Sequence, residues 1–193
     1  MNILEQIAAQ TRERIEAEKR QTPTEELIRQ IEATEQKKSK QSFYEALKKP
    51  GMSYICEVKK ASPSKGLIAS DFPYLDIARE YEAAGASAIS CLTEPFRFLG
   101  KDAYLQEIAA QVEIPVLRKD FTVDEYMIYQ ACLLGASAVL LICAILDDAQ
   151  LRAYRELAES LGMDALVEAH DEAEACRAAV SCARIIGVNN RDL

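Results

Sequence analysis

The sequence contains one histidine, and its six cysteines include no Cys-x-x-Cys pair. Without closely spaced Cys and His residues there is no zinc-binding pattern. Cys56, Cys91 and Cys143 instead fall inside apolar runs, where a free thiol packs as a small hydrophobe. All six cysteines are therefore read as reduced and structural, which suits a reducing compartment. A Gly-x-Gly-x-x-Gly loop is also missing, which removes the dinucleotide-binding fingerprint. The opening stretch, MNILEQIAAQTRERIEAEKR, has a charge every few residues and no apolar h-region, so it reads as neither a signal peptide nor an anchor. The longest apolar run, Ala138 to Leu146, falls well short of the roughly 20 residues of a membrane-spanning helix. Positive charge is scarce: 23 Lys and Arg stand against 31 Asp and Glu, a net charge of −8. That balance disfavours nucleic acid or an anionic membrane as partner, although a cleft on an acidic protein can still be locally basic. A cytoplasmic protein is expected.

What is present is the material of a folded core. Of the 193 residues, 49% are hydrophobic and 28% charged, the balance of an ordinary globular chain. Ile3, Leu4, Ile7, Ala8 and Ile15 share one face of an opening helix. A second helix is expected from Thr22-Pro23, with Thr22 as cap and Pro23 in the first turn. Ser42 caps a short third helix ending at Leu47, before Pro50-Gly51. From Tyr54 onward, apolar runs alternate with longer amphipathic stretches. The runs are Tyr54–Val58, Ala88–Leu92, Val116–Leu117, Ala138–Ile142, Ala165–Val167 and Arg184–Val188. Helices are expected between them, near 74–84, 102–111, 123–134, 147–161 and 171–180. Continuous apolar strands indicate burial on both faces and hence a parallel sheet, and the alternation makes an α/β protein.

Gly85-Ala-Ser-Ala-Ile89 recurs as Gly135-Ala-Ser-Ala-Val139, in each case a Gly ending a helix before a buried strand. Repetition without a phosphate fingerprint favours a (β/α)8 TIM barrel, with a flavodoxin-like doubly wound sheet as the other arrangement. Residues 1–50 would form an N-terminal helical extension, and residues 51–193 a partial barrel of strands one to six.

In such a barrel the chemistry gathers at the C-terminal strand ends. Those ends read Glu57-Val-Lys59-Lys60, Leu92-Thr93-Glu94, Arg118-Lys119-Asp120, Val167-Glu168 and Val188-Asn189-Asn190-Arg191; the fourth ends apolar at Ile142-Cys143. Charge directly after buried runs is costly unless it lines a site. Glu57 and Lys59, two apart, face the same side of their strand. A structural ion pair would explain those two alone, but Lys119, Glu168 and Asn189 converging from other strands point to a site. His170, the short basic run Lys37, Lys38 and Lys40, and the acidic helix faces read as structure or solvated surface. One reading pairs Asp120 with a neighbouring lysine, and its role is left open.

Glu57-Val-Lys59-Lys-Ala-Ser62-Pro63-Ser64 resembles the first-strand signature of the indole-3-glycerol-phosphate synthases. Leu92-Thr93-Glu94 with Phe98-Leu99-Gly100, Lys119-Asp120-Phe121, Val167-Glu168 and Gly187-Val-Asn189-Asn190-Arg191-Asp192-Leu193 resemble that family's later strands, and the helical extension is similar too. The resemblance implies closure of an indole ring on 1-(2-carboxyphenylamino)-1-deoxyribulose 5-phosphate, with loss of carbon dioxide and water, in tryptophan biosynthesis. It implies Lys119 as the acid, Glu168 as a base, Glu57 with Lys59 as a second proton shuttle, and Asn189 as an orienting group. Lys59 and Arg191 would grip anionic parts of the substrate, and Ser62 would touch it as the Ala61–Asp71 loop closes. No metal or organic cofactor is expected, and the partner is a small phosphorylated substrate bound by a monomer.

A complete barrel runs to about 250 residues, so strands seven and eight and the phosphate site are expected beyond Leu193, and residues 1–193 alone are expected to have negligible synthase activity. Two other readings stand beside this one: an inactive barrel remnant, and a relative of phosphoribosylanthranilate isomerase. The isomerase chemistry calls for a Cys–Asp pair at strand ends, and no Cys follows the first strand.

Overall fold

The computed structural model describes residues 2–34, 41–68 and 70–190. Three helices come first: α1 (Ile3–Gln21), α2 (Thr24–Ala33) and α3 (Phe43–Leu47). Strand β1 (Ile55–Val58) follows, then a small hairpin of β2 (Ala61–Ser62) and β3 (Gly66–Leu67). The remainder alternates: α4 (Tyr74–Ala83), β4 (Ala88–Leu92), α5 (Asp102–Gln111), β5 (Val116–Lys119), α6 (Glu125–Leu133), β6 (Ala138–Ile142), a 3₁₀ turn (Cys143–Ile145), α7 (Asp148–Ser160), β7 (Asp164–Ala169), α8 (Glu172–Val180) and β8 (Ile185–Val188). Among the described residues no helix is long and apolar enough to cross a membrane.

The large sheet has the order β1-β4-β5-β6-β7-β8, and every pairing is parallel. Each helix-linked strand lies beside the next one in the chain. A doubly wound sheet reverses its order at a switch point; this one does not, so it is a partial barrel. Side chains alternate accordingly. Val58, Ile89, Cys91, Val139, Leu141 and Val167 point outward and pack with Ala78, Ile108, Ile128, Leu151 and Ala178 of the helices. Ala88, Leu117, Ala138, Leu140 and Ile142 point inward. Burial on both faces explains why β6 reads as an unbroken apolar run and β4 as one interrupted only by Ser90.

The repeated Gly-Ala-Ser-Ala element is a helix exit. Gly85 and Gly135 have φ of +90° and +81°, the left-handed region that glycine enters without a Cβ penalty. The following amides, Ala86 N and Ala136 N, donate back to Tyr81 O and Ala131 O at 3.0 Å. Two more exits use the same turn without sharing the sequence. Gly162 has φ +79° and Cys182, a non-glycine, has φ +62°.

The N-terminal helices wrap the sheet from end to end. At the C-terminal ends of the strands, Arg14 of α1 bonds Asp120 at 3.1 Å and Lys19 bonds Asp124 at 2.6 Å. At the opposite end, Ser42 Oγ and Tyr44 N donate to Asp164 Oδ2 at the start of β7. There the fully buried Phe43 packs into the inner cluster.

Some expectations need correction. Thr22 does not cap α2; it ends α1, its N–H donating to Glu18 O at 2.8 Å, and Pro23 takes the capping position with no side-chain bond. The residue before a proline is pushed out of helical backbone, and Thr22 is accordingly extended. The stretch after β1 is partly a hairpin rather than a plain loop. Lys37, Lys38 and Lys40 lie outside the described residues.

Candidate active site

The inner face continues upward from its apolar layers into polar residues at the C-terminal ends. On β1, Val58 points outward, so Glu57 and Lys59 point inward, and the Lys59 ammonium donates to Glu57 Oε1. On β5 the inward position after Leu117 is Lys119, whose register partner on β4 is Leu92. On β7 the inward position after Leu166 is Glu168, flanked in register by Ile142 and Gly187. Asn189, just past β8, is held by its own N–H on Ala169 O at 2.9 Å.

Three of these side chains meet. Lys119 Nζ lies 3.9 Å from Glu168 Oε2, and Asn189 Nδ2 donates to Glu168 Oε1 at 3.0 Å. Glu168 therefore carries a cation on one oxygen and an amide on the other, with its side chain 15% exposed. Glu57 and Lys59 form a second group on the same face, separated from the first by β4. Phe121, two residues beyond Lys119, lies 6.1 Å ring to ring from Phe98 and adds an apolar wall. Ser62 is buried, and its hydroxyl accepts from Lys65 N at 3.2 Å, closing the hairpin turn. Arg191 lies outside the described residues. His170 hands its backbone N–H to Glu174 at 2.8 Å, and its Nδ1 has no hydrogen-bond partner among the described residues.

Comparison with known proteins identifies the family. A family model described as indole-3-glycerol phosphate synthase matches residues 4–193. The chain belongs to the indole-3-glycerol phosphate synthase family. Curated relatives of that name include those of Ruminiclostridium cellulolyticum, 52% identical over 99% of this chain and 73% of the relative, and of Lacticaseibacillus paracasei, 54% identical over the same shares. The relative from Chlorobium phaeovibrioides is 45% identical over all of this chain and 74% of its own. Among solved structures, KGPDC from Streptococcus mutans superposes with a TM-score of 0.53 at 11% identity, covering 70% of this chain and 64% of that one. That likeness concerns the fold alone.

In this synthase-family chain a buried polar lattice backs the site. Asp120, directly after Lys119, has a fully buried side chain. It accepts from Arg14, from Thr93 Oγ1 at 2.7 Å and from Phe121 N at 2.8 Å. Its partner is thus an arginine of α1, which corrects the reading that pairs it with a neighbouring lysine. Burial works against the charge on Arg14, but attraction and a hydrogen bond from Asp120 outweigh it and raise its pKa. Arg118 points outward and is also buried; it bonds Thr93, Met127 O and Asp102. Sequence reasoning missed Arg14, although its signal was present. It sits seven residues after Ile7, on the same helical face as the buried Ile7, Thr11 and Ile15. Glu94 proves structural, accepting the N–H groups of Phe96, Arg97 and Phe98 at 2.7–2.9 Å. Gly100 follows because a Cβ there would stand 2.4 Å from Leu92 O.

Proposed function

We propose that this chain carries out indole-ring closure on 1-(2-carboxyphenylamino)-1-deoxyribulose 5-phosphate at the inner C-terminal face of its sheet. The products are indole-3-glycerol phosphate, carbon dioxide and water, a carbon–carbon lyase step of tryptophan biosynthesis. The observation that carries the reading is the meeting of Lys119, Glu168 and Asn189 from three strands at one strand end.

The chemistry follows from those groups. The ring carbon bearing the carboxylate attacks the ketone carbon, and negative charge gathers on the ketone oxygen. An ammonium beside it both donates the proton and stabilises the charge, the role of Lys119. Carbon dioxide then leaves and the aromatic ring is restored. Dehydration removes one proton and expels the new hydroxyl as water. Glu168 serves as base, while Glu57 with Lys59 delivers the second proton. Asn189 holds Glu168 and orients polar groups of the substrate. Lys59 and Arg191 bind its anionic parts, Arg191 by the planar fork that suits a carboxylate, and Ser62 contacts it from the hairpin. The anilino ring supplies and recovers the electrons, so the chemistry calls for no metal or organic cofactor. A cytoplasmic setting belongs to the same proposal, since six free thiols suit a reducing compartment.

The test uses the chain extended to the length of its relatives and measures binding of this substrate by calorimetry and appearance of indole absorbance, alongside a Lys119→Ala variant. Substrate that is neither bound nor converted, or product formed equally well by the variant, would sink the reading.

A further inference from the structure

Ser90 sits in the middle of β4. Its neighbours Ile89 and Cys91 point outward into the helix layer, and Ala88 points inward, so the Ser90 side chain faces the inner side. It is 4% exposed. Along its own strand the inward residues on either side are Ala88 and Leu92, and its register partner on β5 is Leu117. All three are apolar. On the other side its register partner is Glu57 of β1, across an inter-strand gap of about 5 Å.

The Ser90 hydroxyl is buried and has no hydrogen-bond partner among the described residues. Thr93, at the end of the same strand, gives its hydroxyl to Asp120 at 2.7 Å. Alanine fills the inner positions 88 and 138, so the inner face accepts a smaller side chain without an oxygen. A buried donor without an acceptor destabilises the state that contains it. The hydroxyl is therefore explained by a state in which it has an acceptor, and its polar neighbour in register is Glu57. In the structure that carboxylate is held by Lys59.

We propose that Ser90 is a positioning residue that takes over Glu57 when Lys59 turns to the substrate. This deepens the function proposed above and rests on it, because it needs Lys59 to bind an anionic part of the substrate. An ammonium that turns to the substrate divides its three N–H donors between it and Glu57, which loosens its hold on that carboxylate. Rotation about the Ser90 Cα–Cβ bond brings its O–H to the Glu57 carboxylate. The carboxylate then keeps a donor, stays on the inner face, and remains placed for proton transfer.

The experiment uses the whole chain and the substrate analogue in which the ketone is reduced to an alcohol. Its affinity is measured by calorimetry for the unsubstituted chain, Ser90→Ala, Ser90→Thr, Glu57→Ala and the Ser90→Ala/Glu57→Ala pair. One hydrogen bond to a charged acceptor predicts about a five- to tenfold loss in Ser90→Ala. Ser90→Thr, which keeps the hydroxyl, should stay within about twofold, and Ser90→Ala should cost less than about twofold once Glu57 is gone. The melting temperature of Ser90→Ala should be unchanged or higher, since the change removes an unpartnered hydroxyl. Unchanged affinity in Ser90→Ala, or an equal loss with and without Glu57, would overturn the inference while leaving the functional reading intact. No binding by the unsubstituted chain would remove both.

Discussion

Lys119 on β5 and Glu168 on β7 face each other across the intervening strand β6, Nζ to Oε2 at 3.9 Å. The two belong to strands with no shared backbone pairing, so the curvature of the sheet brings ammonium and carboxylate together. Parallel order with no reversal is what gives that curvature a common inner side.

Loss of the acid should appear in rate and not in folding. In the chain extended to the length of its relatives, Lys119→Ala is expected to lower turnover by about 10²–10⁴-fold, the usual worth of one positioned proton donor, with a cooperative melt retained. Glu168→Gln should cost a similar factor, and His170→Ala only a few-fold. Steady-state kinetics with a thermal melt on each variant checks this; a Lys119→Ala enzyme with near-normal kcat would refute the assignment.

Asp120 should matter for stability as much as for the site. Its side chain is fully buried and faces Arg14 at 3.1 Å and Arg118 at 3.8 Å. Removing one member of a buried charged set costs about 3–5 kcal/mol, because the arginines lose their counter-ion. Asp120→Ala should therefore unfold at markedly lower denaturant. A loss below about 1 kcal/mol, by the criterion for a surface pair, would show that α1 is not anchored through this carboxylate.

Cys182 offers a stabilising change. It occupies the left-handed helix exit with φ +62°, where Gly85, Gly135 and Gly162 stand in three other units. A side chain there costs about 1 kcal/mol. Cys182→Gly should raise the midpoint of thermal unfolding by a few degrees; an unchanged or lower midpoint would mean that this turn carries no strain.

The thiols should separate by environment. Burial pushes Cys91 up from 9.0 to about 12, so its thiolate is essentially absent at neutral pH. A thiol reagent at pH 8 should label the exposed Cys176 and Cys182 and spare Cys91 until the chain unfolds. The folded state holds the Cys91 proton more tightly than the unfolded chain does. Its contribution to stability is complete below pH 9 and is lost as pH rises toward about 12. Alkaline unfolding should therefore be shallower in Cys91→Ala, and identical pH profiles would contradict this.

The barrel strands were legible because burial on both faces leaves unbroken apolar runs, and β4 and β6 end where the sequence says they should. Glu57, Lys59, Lys119, Glu168 and Asn189 stood out because charge and amide follow directly on those runs. What escaped is long-range. Nothing near Asp120 in sequence reveals that its partner is Arg14, and nothing near Ser90 reveals that Glu57 lies beside it. The hairpin after β1 escaped for a different reason, since its strands of two residues each are too short to show alternation.

The wrapped N-terminal helices also constrain the order in which the molecule can assemble. Arg14, Lys19 and Thr22 are fastened to groups 104–106 residues further along, and Ser42 to one 122 residues further. These contacts raise the contact order well above that of the local strand–helix units. During synthesis at roughly 5–20 residues per second, α1 must wait about 5–20 s for its anchors to be made. Helix α1 is thus among the last elements to dock, with Leu4, Ile7 and Ile15 uncovered in the interval.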